Sequence, residues 1–375
     1  MDVVVAGYAD LSVKSSAVRR RMIDQLASVI RELLPDSAEL QGGFDRLVIT
    51  TSTPESVLPV VTTTPGIAHA MAATKVPATA PAICACARTA AEDHPTDHSF
   101  AVSVHRGDVS GHVPSSQQLK RAVGTTVQAA TGAPVDLDAP DRRYHIDLRG
   151  EAAFVGRDRQ RGVGGLPPGV QAPIVGLVSG GIDSPVAMWQ ILRRGAPVIP
   201  VHCQLSGSDE PEASIRAEVC VDELNTHVGH VAHAMRSVDL TPVVELLCSE
   251  TTDLRMVHVH RSLLLVARAV MDATDAVGIA TGDVIGQKAS QTSRNLLVID
   301  AAIEAPVYRP LIGLDKATIE EEARSLGTYE PAIGPSGCEA VAPVHPETAA
   351  DLEAVIADEP TGLSDALRRV IEGIT

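Results

Sequence analysis

A short segment of the chain carries the residue types that bind phosphate groups. A predicted apolar strand leads into Ser-Gly-Gly-Ile-Asp-Ser at 179–184, and a predicted helix follows. Gly180 and Gly181 lack a Cβ, so backbone amides can close on a phosphate there. The helix N-terminus, which we expect Asp183 or Ser184 to cap, adds unpaired N–H groups and partial positive charge. The alternative is a plain glycine turn, but the coincidence of strand, loop and helix favours a phosphate site.

The elements that must position this loop alternate regularly over the second half of the chain. Short apolar segments, typical of buried strands, are separated by amphipathic segments with helical spacing. The predicted strands cover residues 174–178, 198–202, 231–235 and 277–281, and the predicted helices lie near 185–194, 211–228, 255–274 and 315–326. This order is typical of the α/β class with a doubly wound parallel sheet.

The first 160 residues show a different, α+β pattern. Strands are predicted at 3–5, 47–50, 100–105, 144–148 and 151–155, and helices at 17–34 and 117–130. Ser115 or Ser116 is expected to begin the second of these helices, and Gly132 to end it. A run of glycines and prolines at 162–169 then predicts a linker.

The charge balance sets two interpretations against each other. The 375 residues hold 31 Lys and Arg against 47 Asp and Glu, a net charge of −16, and only five of the cations are lysines. Taken alone, this argues against a nucleic-acid partner, since such binding depends on cations that meet phosphates. A soluble acidic enzyme is one interpretation. We favour the other, an acidic and lysine-poor surface adapted to high salt.

The same composition bears on where the protein works. No apolar run reaches the roughly 18 residues of a membrane span, and the N-terminus lacks the cationic start of a signal peptide. Six cysteines in a chain of this length do not make a disulfide framework. We therefore expect a cytoplasmic protein with no membrane partner.

The phosphate loop narrows the choice of chemistry. It lacks the lysine of the Gly-x-x-x-x-Gly-Lys-Ser/Thr loop found in kinases and GTPases. It is instead similar to the PP-loop of adenine-nucleotide alpha-hydrolase enzymes, which cleave ATP between its α- and β-phosphates and adenylate a carbonyl oxygen. In that class Asp183 would hold Mg²⁺ on the pyrophosphate.

Three further blocks carry a more specific resemblance. They are Thr-Gly-Asp-Val-Ile-Gly-Gln-Lys-Ala-Ser-Gln-Thr at 281–292, Tyr-Arg-Pro-Leu-Ile-Gly-Leu-Asp-Lys at 308–316 and the segment 162–169. Together with the loop they closely resemble the tRNA 4-thiouridine synthetases, or tRNA sulfurtransferases. This resemblance implies ATP-dependent sulfur transfer to uridine 8 of tRNA. ATP would adenylate the uracil O4, and a sulfur nucleophile would displace AMP to give 4-thiouridine.

The resemblance extends upstream and implies a domain plan. Residues 8–14 resemble the opening of the family's ferredoxin-like domain, and residues 100–155 resemble its tRNA-binding THUMP domain. We expect a ferredoxin-like domain at 1–68, a THUMP domain at 69–160, a linker at 161–172 and a PP-loop ATP pyrophosphatase domain at 173–375.

The same resemblance implies roles for individual residues. The catalytic positions are Asp183, Lys316, placed to stabilise developing negative charge, and Cys338, which would carry or receive sulfur as a persulfide. The ATP-binding positions are Leu177, Val178, Ser179, Gly180, Gly181, Asp183, Ser184, His202, Cys203, His260, Gly282 and Gln291. His260 departs from the family, which usually has Lys or Arg there, and a histidine weakens the fixed positive charge.

Cofactors and partners follow from the resemblance only in part. ATP, Mg²⁺ and tRNA are implied, with a cysteine desulfurase persulfide or sulfide as sulfur donor. Met256 and Val259 stand where some archaeal relatives have Cys-x-x-Cys, so whether the chain binds an iron–sulfur cluster stays open. A cluster bound by Cys203, Cys248 and Cys338 stays open as well. His258 and His260 alone make a weak case for a metal site, and none is expected. We expect no rhodanese domain, while a homodimer and a role in thiamine biosynthesis stay open.

Basic residues cluster before residue 162, in the half that resembles an RNA-binding module. The candidates for tRNA binding are Arg19, Arg20, Lys120, Arg121, Arg142 and Arg143. Any one such pair is usually a solvated surface, but their concentration suits contacts to a phosphate backbone. We therefore expect the acidity to lie away from the tRNA-binding surface.

Two other functions fit the same residues. One is a PP-loop ATP pyrophosphatase that acts on a small molecule; pyrophosphate exchange without RNA would favour it. The other is a non-catalytic tRNA-binding protein with a decayed site, for which the histidine at position 260 is the best support.

Overall fold

The chain folds into two compact units. The computed structural model describes residues 1–9, 15–43, 45–109, 114–205, 211–334 and 341–374. The first unit is Met1–Pro167 and the second is Pro168–Thr375, so the division falls inside the Gly/Pro-rich segment predicted as a linker. No helix of these described ranges combines the length and the apolar character needed to cross a membrane.

The first unit is built on one large mixed sheet. Its strands are β1 (Asp2–Tyr8), β2 (Glu39–Gly42), β3 (Leu47–Thr50), β4 (Ile67–Pro77), β5 (Phe100–Val109), β6 (Arg142–Gly150), β7 (Ala152–Arg157) and β8 (Gln160–Arg161). The order is β2-β3-β1-β4-β7-β6-β5, with β8 beside β4. The helices are α1 (Ser16–Leu33), α2 (Pro54–Thr63), α3 (Ala80–Ala90) and α4 (Ser116–Thr131).

Helix α4 connects the two strands of this sheet that run parallel, β5 and β6. A parallel pair needs a crossover, and the caps predicted for this helix are confirmed. The Ser115 side chain accepts a hydrogen bond from the Gln118 amide, and Gly132 ends the helix with a φ of 70°. The helix packs its buried Leu119 and Val123 against the sheet.

Strand β4 runs across the boundary predicted between residues 68 and 69. It pairs with β1 on one side and with β7 on the other, so one sheet serves both predicted domains. Ala70 joins the core under α1 and α2, while Val76 packs on the core under α3 and α4. Residues 70 and 76 lie on the same face of the strand, and the helices therefore cover one face of the sheet. The division of this unit into two domains stays a prediction.

The other face of this sheet is concave. Arg46, just before β3, forms an ion pair with Asp147 on β6, with a distance of 3.1 Å between Nε and Oδ2. Four strand spacings separate β3 from β6, which in a flat sheet would amount to ~19 Å. The sheet must therefore curl. Inside the curve lies a small apolar core of Val3, Val5, Met71, Ala73 and Phe154.

The second unit contains a parallel sheet in the order β11-β10-β9-β12-β13. Its strands are β9 (Ile174–Leu177), β10 (Val198–Gln204), β11 (Arg236–Asp239), β12 (Ile279–Ala280) and β13 (Val307–Tyr308). Its helices are α5 (Asp183–Leu192), α6 (Pro211–Asn225), α7 (Thr241–Glu250), α8 (Arg255–Asp272), α9 (Ser293–Asp300), α10 (Lys316–Ser325), α11 (Leu352–Ala357) and α12 (Leu363–Glu372). The first strand, β9, lies in the middle, and the chain winds outward on both sides of it. The predicted doubly wound sheet is confirmed.

One predicted strand of this unit is wrong. The apolar segment 231–235 begins with the last residue of a 3-10 turn, Gly229–Val231, and continues without regular structure, and the edge strand is Arg236–Asp239. Only Val238 of this strand is buried, because an edge strand needs few apolar side chains. A prediction from apolar content therefore placed the strand at 231–235, directly before the residues that form it.

Candidate active site

The phosphate loop connects the central strand β9 to helix α5. The Ser179 amide donates to Ser184 Oγ at 3.1 Å, and the Gly181 amide donates to Ser179 Oγ at 3.4 Å. The helix is preceded by Ile182, whose own backbone is helical, and no side chain caps it. The predicted cap at Asp183 or Ser184 is wrong, because the Ser184 hydroxyl closes the loop instead.

Two glycines allow backbone segments to approach each other at this loop. Gly180 has a φ of +74°, and a Cβ there would lie 2.4 Å from the Ala213 carbonyl oxygen on α6. Gly282, in the loop after β12, would bring a Cβ to 2.9 Å from the Ser184 amide nitrogen. Both distances are far too short for any side chain. The loop after β12 can therefore pack directly on the start of α5.

Asp183 is the carboxylate at the centre of the loop. Gln287 Nε2 donates to its Oδ2 at 3.0 Å and ties the loop to the segment after β12. Burial raises the pKa of Asp183, while the hydrogen bond from Gln287 and the charges of Lys288 and Lys316 lower it. The carboxylate thus lies in a cavity of low polarity beside cations, where a bound cation would stabilise its charge.

Two histidines lie on the other walls. The His202 ring donates from Nδ1 to the Val178 carbonyl at 2.9 Å, which fixes the ring beside the end of β9. Burial lowers the pKa of His260; the nearby Asp283 opposes this shift, and Lys288 and Arg309 add to it. His260 is therefore neutral in neutral solution.

A buried ionic network supports the loop after β12. Asp283 accepts hydrogen bonds from Thr281 Oγ1 at 2.7 Å, Arg309 Nε at 3.0 Å and Gln291 Nε2 at 3.3 Å. Because a carboxylate only accepts, it orients the amide of Gln291 with its nitrogen inward. Arg309 also donates to both oxygens of Asp300, at 2.9 and 2.6 Å.

Lys316 begins helix α10. The preceding Asp315 caps this helix by accepting from the Thr318 amide at 2.8 Å. The Lys316 side chain is 69% exposed, and its Nζ lies 3.8 Å from Glu320 Oε1. Glu320 in turn accepts from Arg324 at 3.1 Å. The lysine is thus held at the mouth of the cavity and stays solvated.

These groups surround one cavity of about 690 Å³ at the carboxyl ends of the strands. This volume lies within the range of small-molecule sites. The predicted residues that line it are Leu177, Val178, Ser179, Gly181, Asp183, Ser184, His202, Cys203, His260, Gly282, Gln291 and Lys316. Gly180 lies behind the loop, against α6. Cys338 and residues 10–14 of the upstream block lie outside the described residues.

The polar residues of this cavity that sequence reasoning missed include Asp283, Gln287, Lys288 and Arg309. All four belong to the blocks 281–292 and 308–316, so the blocks themselves were the signal. Met256, one of the two positions matched to an iron–sulfur ligand, lines the cavity, and Val259, the other, is fully buried in the apolar core.

The predicted tRNA-binding residues lie in the first unit and differ in their surroundings. Three of them form ion pairs with aspartates. The distances are 3.5 Å from Arg19 Nη2 to Asp45 Oδ1, 3.6 Å from Arg20 Nε to Asp24 Oδ1, and 3.3 Å from Arg142 Nε to Asp158 Oδ2. Lys120 and Arg121 are exposed on α4. Arg143 is on β6, two residues before His145, and therefore on the concave side of the sheet.

A group of cationic and imidazole side chains meets on that concave side. We call His69, Arg143, His145 and Arg159 the basic concave cluster. Burial and the charge of Arg159 lower the pKa of His69 to about 4 and that of His145 to about 4. Burial and Arg46 lower the pKa of Arg159 as well. Both rings are therefore neutral N–H donors beside permanent positive charge, a combination that suits phosphodiester groups.

Comparison with known proteins decides the family. The family model described as thiamine biosynthesis protein (ThiI) matches residues 169–361, and the THUMP domain model matches residues 77–158. A probable tRNA sulfurtransferase of Halobacterium salinarum is 36% identical over 98% of this chain and 95% of its own length. The chain belongs to the tRNA sulfurtransferase family.

Other members of the family agree with this assignment. A probable tRNA sulfurtransferase of Thermus thermophilus is 38% identical over 70% of this chain and 64% of its own length. The crystal structure of a 4-thiouridine synthetase–RNA complex with bound ATP superposes with a TM-score of 0.87 at 25% identity, and covers 99% of this chain and 98% of the other. The predicted fold, PP-loop and THUMP modules of a tRNA sulfurtransferase are confirmed.

Proposed function

We propose that this chain is an ATP-dependent tRNA sulfurtransferase that converts uridine 8 of tRNA to 4-thiouridine. The observation that carries the proposal is the cavity beside the Ser-Gly-Gly-Ile-Asp-Ser loop in a chain that superposes on a 4-thiouridine synthetase with bound ATP and RNA. The reaction takes place where tRNA is found, in the cytoplasm.

ATP binds with its phosphates at the loop. The start of α5, which no side chain caps, offers unpaired N–H groups and the positive end of a helix dipole. The apolar side of the cavity, with Leu177, Val201 and Leu264, receives the base. The pyrophosphate therefore lies beside Asp183, and the α-phosphate faces the open part of the cavity.

The residues present fit a magnesium ion at Asp183. Mg²⁺ usually takes one or two carboxylates together with substrate phosphates and water, so a single carboxylate suffices. Gln287 occupies Oδ2 of Asp183, and burial makes an unpaired negative charge costly there. When bound, Mg²⁺ would neutralise the pyrophosphate as it departs.

The other residues act on the nucleotide and on the uracil. The uracil O4 attacks the α-phosphate, and Lys316, at the mouth of the cavity, stabilises the negative charge that develops. A sulfur nucleophile then attacks C4, and AMP leaves. Cys338, which lies outside the described residues, would carry that sulfur as a persulfide received from a cysteine desulfurase, and a second thiol would cleave the S–S bond left on C4 after the attack. Sulfide, the alternative donor, would attack C4 directly and needs no persulfide.

The first unit holds the tRNA. The THUMP match at residues 77–158 includes β5, β6 and β7, and β6 carries Arg143 and His145 of the basic concave cluster. We assign this cluster, together with Lys120 and Arg121 on α4, to contacts with the RNA backbone. The domain limits predicted at 68/69 and 160/161 remain part of this proposal.

Deletion of the gene tests the function. The tRNA of the deletion strain is digested to nucleosides and analysed by mass spectrometry. We expect 4-thiouridine to disappear and to return with the wild-type gene but not with an Asp183→Asn variant. Persistence of 4-thiouridine in the deletion strain would contradict the proposal.

A second candidate function comes from the description of the matching family model, which names thiamine biosynthesis. The same sulfur relay could supply sulfur for the thiazole of thiamine. Growth of the deletion strain without added thiamine tests it: a thiamine requirement supports the second function, and normal growth excludes an essential role.

A further inference from the structure

Lys288 lines the cavity, and the proposed reaction steps assign no role to it. ATP brings a polyphosphate with several negative charges, which the protein must balance with cations or N–H groups. The Lys and Arg residues that line the cavity in the described part of the chain are Lys288, Arg309 and Lys316. Where each of them lies in the cavity decides which can meet the pyrophosphate.

Arg309 is committed to the protein itself. Its side chain is 10% exposed, and it holds Asp283 and Asp300 in one network. Moving the guanidinium toward a ligand would take a cation away from two carboxylates, one of them as buried as Arg309 itself. Arg309 therefore shapes the loop after β12 and does not bind phosphate.

His260 and Lys316 do not supply positive charge to the pyrophosphate. His260 is held neutral by burial, so it contributes a hydrogen-bonding atom but no charge. Lys316 stands beside Glu320 at the mouth of the cavity and already serves the step at the α-phosphate.

Lys288 is placed at the pyrophosphate end. It follows Gln287, whose side-chain amide is bonded to Asp183 at 3.0 Å, so the backbone of this segment passes directly over the phosphate loop. Gly286, with a φ of +80°, turns the chain there, and Lys288 continues in an extended conformation before the 3-10 turn Ala289–Gln291. The residue is exposed in the cavity wall. Its positive charge lowers the pKa of both Asp183 and His260, so both groups lie within electrostatic range of Lys288.

We propose that Lys288 binds the β- and γ-phosphates of ATP, next to Asp183, and supplies the positive charge that His260 does not. This inference rests on the proposed function, since it takes ATP as the ligand of the cavity. It assigns a phosphate contact to a segment of the chain that is separate from the Ser-Gly-Gly loop.

Binding of three ligands to the purified full chain tests the assignment. Isothermal titration calorimetry with ATP, pyrophosphate and AMP, each with MgCl₂, compares the wild type with Lys288→Gln and Lys288→Arg. We expect Lys288→Gln to weaken ATP and pyrophosphate about tenfold and AMP less than twofold, because AMP lacks the groups that the lysine meets. The arginine variant should stay within about threefold of the wild type for ATP and pyrophosphate.

The matched control is Arg294→Gln, which removes an exposed cation from α9 of the same unit. It should leave all three affinities unchanged. Equal weakening of AMP and ATP by Lys288→Gln, or no weakening of ATP, would overturn the assignment. Equal effects of Lys288→Gln and Arg294→Gln would overturn it too, since they would reflect net charge alone. A wild-type chain that binds none of the three ligands would instead contradict the proposed function.

Discussion

The two units of the molecule carry very different charges, yet the more acidic one contains the phosphate cavity. Residues 1–167 hold 17 Lys and Arg against 18 Asp and Glu, a net charge of −1, whereas residues 168–375 hold 14 against 29, a net charge of −15. Net charge therefore does not locate an anion site. The near-neutral first unit also answers the objection that a chain at −16 should avoid nucleic acid.

In the proposed function, the two sites attract anions by different means. The cavity relies on the N–H groups of a helix N-terminus and on two lysines, Lys288 and Lys316. The basic concave cluster relies on arginines and on two histidines that stay neutral. The first arrangement suits one small ligand held in one position, while the second suits a long backbone.

The largest effect should come from Asp183→Asn, which removes the charge at the centre of the cavity. We expect thiolation to fall by about 10²–10³-fold, the loss typical of a group that stabilises a transition-state charge. Affinity for tRNA, measured by filter binding, should stay within twofold. The control Asp275→Asn changes an exposed carboxylate of the same unit and should have no effect. Loss of tRNA binding in the Asp183 variant would show that the two sites are not separate.

The double variant Arg143→Gln/Arg159→Gln tests the other side of the comparison. We expect it to weaken tRNA about 10- to 100-fold at constant salt, and to leave the affinity for ATP unchanged. The slope of log affinity against log salt should become shallower by about 0.9 for each phosphate that the variant no longer neutralises. The matched variant Arg31→Gln/Arg88→Gln removes two exposed helix arginines instead. Equal weakening by both double variants would contradict the assignment of the concave face.

The histidines of the concave face predict a pH dependence of stability. His69 and His145 have a pKa of about 4 in the folded protein against 6.5 when unfolded. The unfolded chain therefore takes up protons that the folded chain does not, and the free energy of unfolding falls as the pH drops from 6.5 toward 4. In the variant His69→Gln/His145→Gln, the free energy of unfolding, measured from denaturant curves, should fall less steeply as the pH drops. The difference in slope between variant and wild type should correspond to up to two protons at pH 5. An unchanged slope would show that the rings are not buried as described.

The smallest effect should come from His260→Gln. Because burial keeps the imidazole neutral, its replacement removes no charge. We expect the affinity for ATP at pH 7.5 to change by less than about threefold, and the wild-type affinity to be flat between pH 6.5 and 8. A tenfold loss, or an affinity that rises as the pH drops across that range, would mean that His260 is charged.

The catalytic half could be predicted from sequence where its signals are contiguous. The strand, the Ser-Gly-Gly loop and helix α5 follow each other directly, and the residues that line the cavity at 281–292 and 316 stand in compact blocks. The cap of α5 could not be predicted, because Ser184 uses its hydroxyl on the Ser179 amide, an interaction five residues back.

The rest of the molecule depends on contacts between distant segments. Arg309 joins Asp283 and Asp300 only once the segment after β12, the end of α9 and the segment after β13 have come together. The basic concave cluster draws His69, His145 and Arg159 from β4, β6 and the segment before β8, and the curl of the sheet brings them together. Pairs of neighbouring cations in the sequence therefore pointed to the right half of the chain but could not indicate that face.

The most direct test of the account is thiolation by the purified chain. An unmodified tRNA transcript is incubated with ATP, MgCl₂, a persulfide donor and a thiol reductant, and the product is mapped by mass spectrometry. We predict one 4-thiouridine, at position 8, with one AMP released for each sulfur transferred and none from a transcript with cytidine at that position. AMP release that does not depend on the tRNA, or an unmodified uridine 8 after ATP has been consumed, would contradict the account.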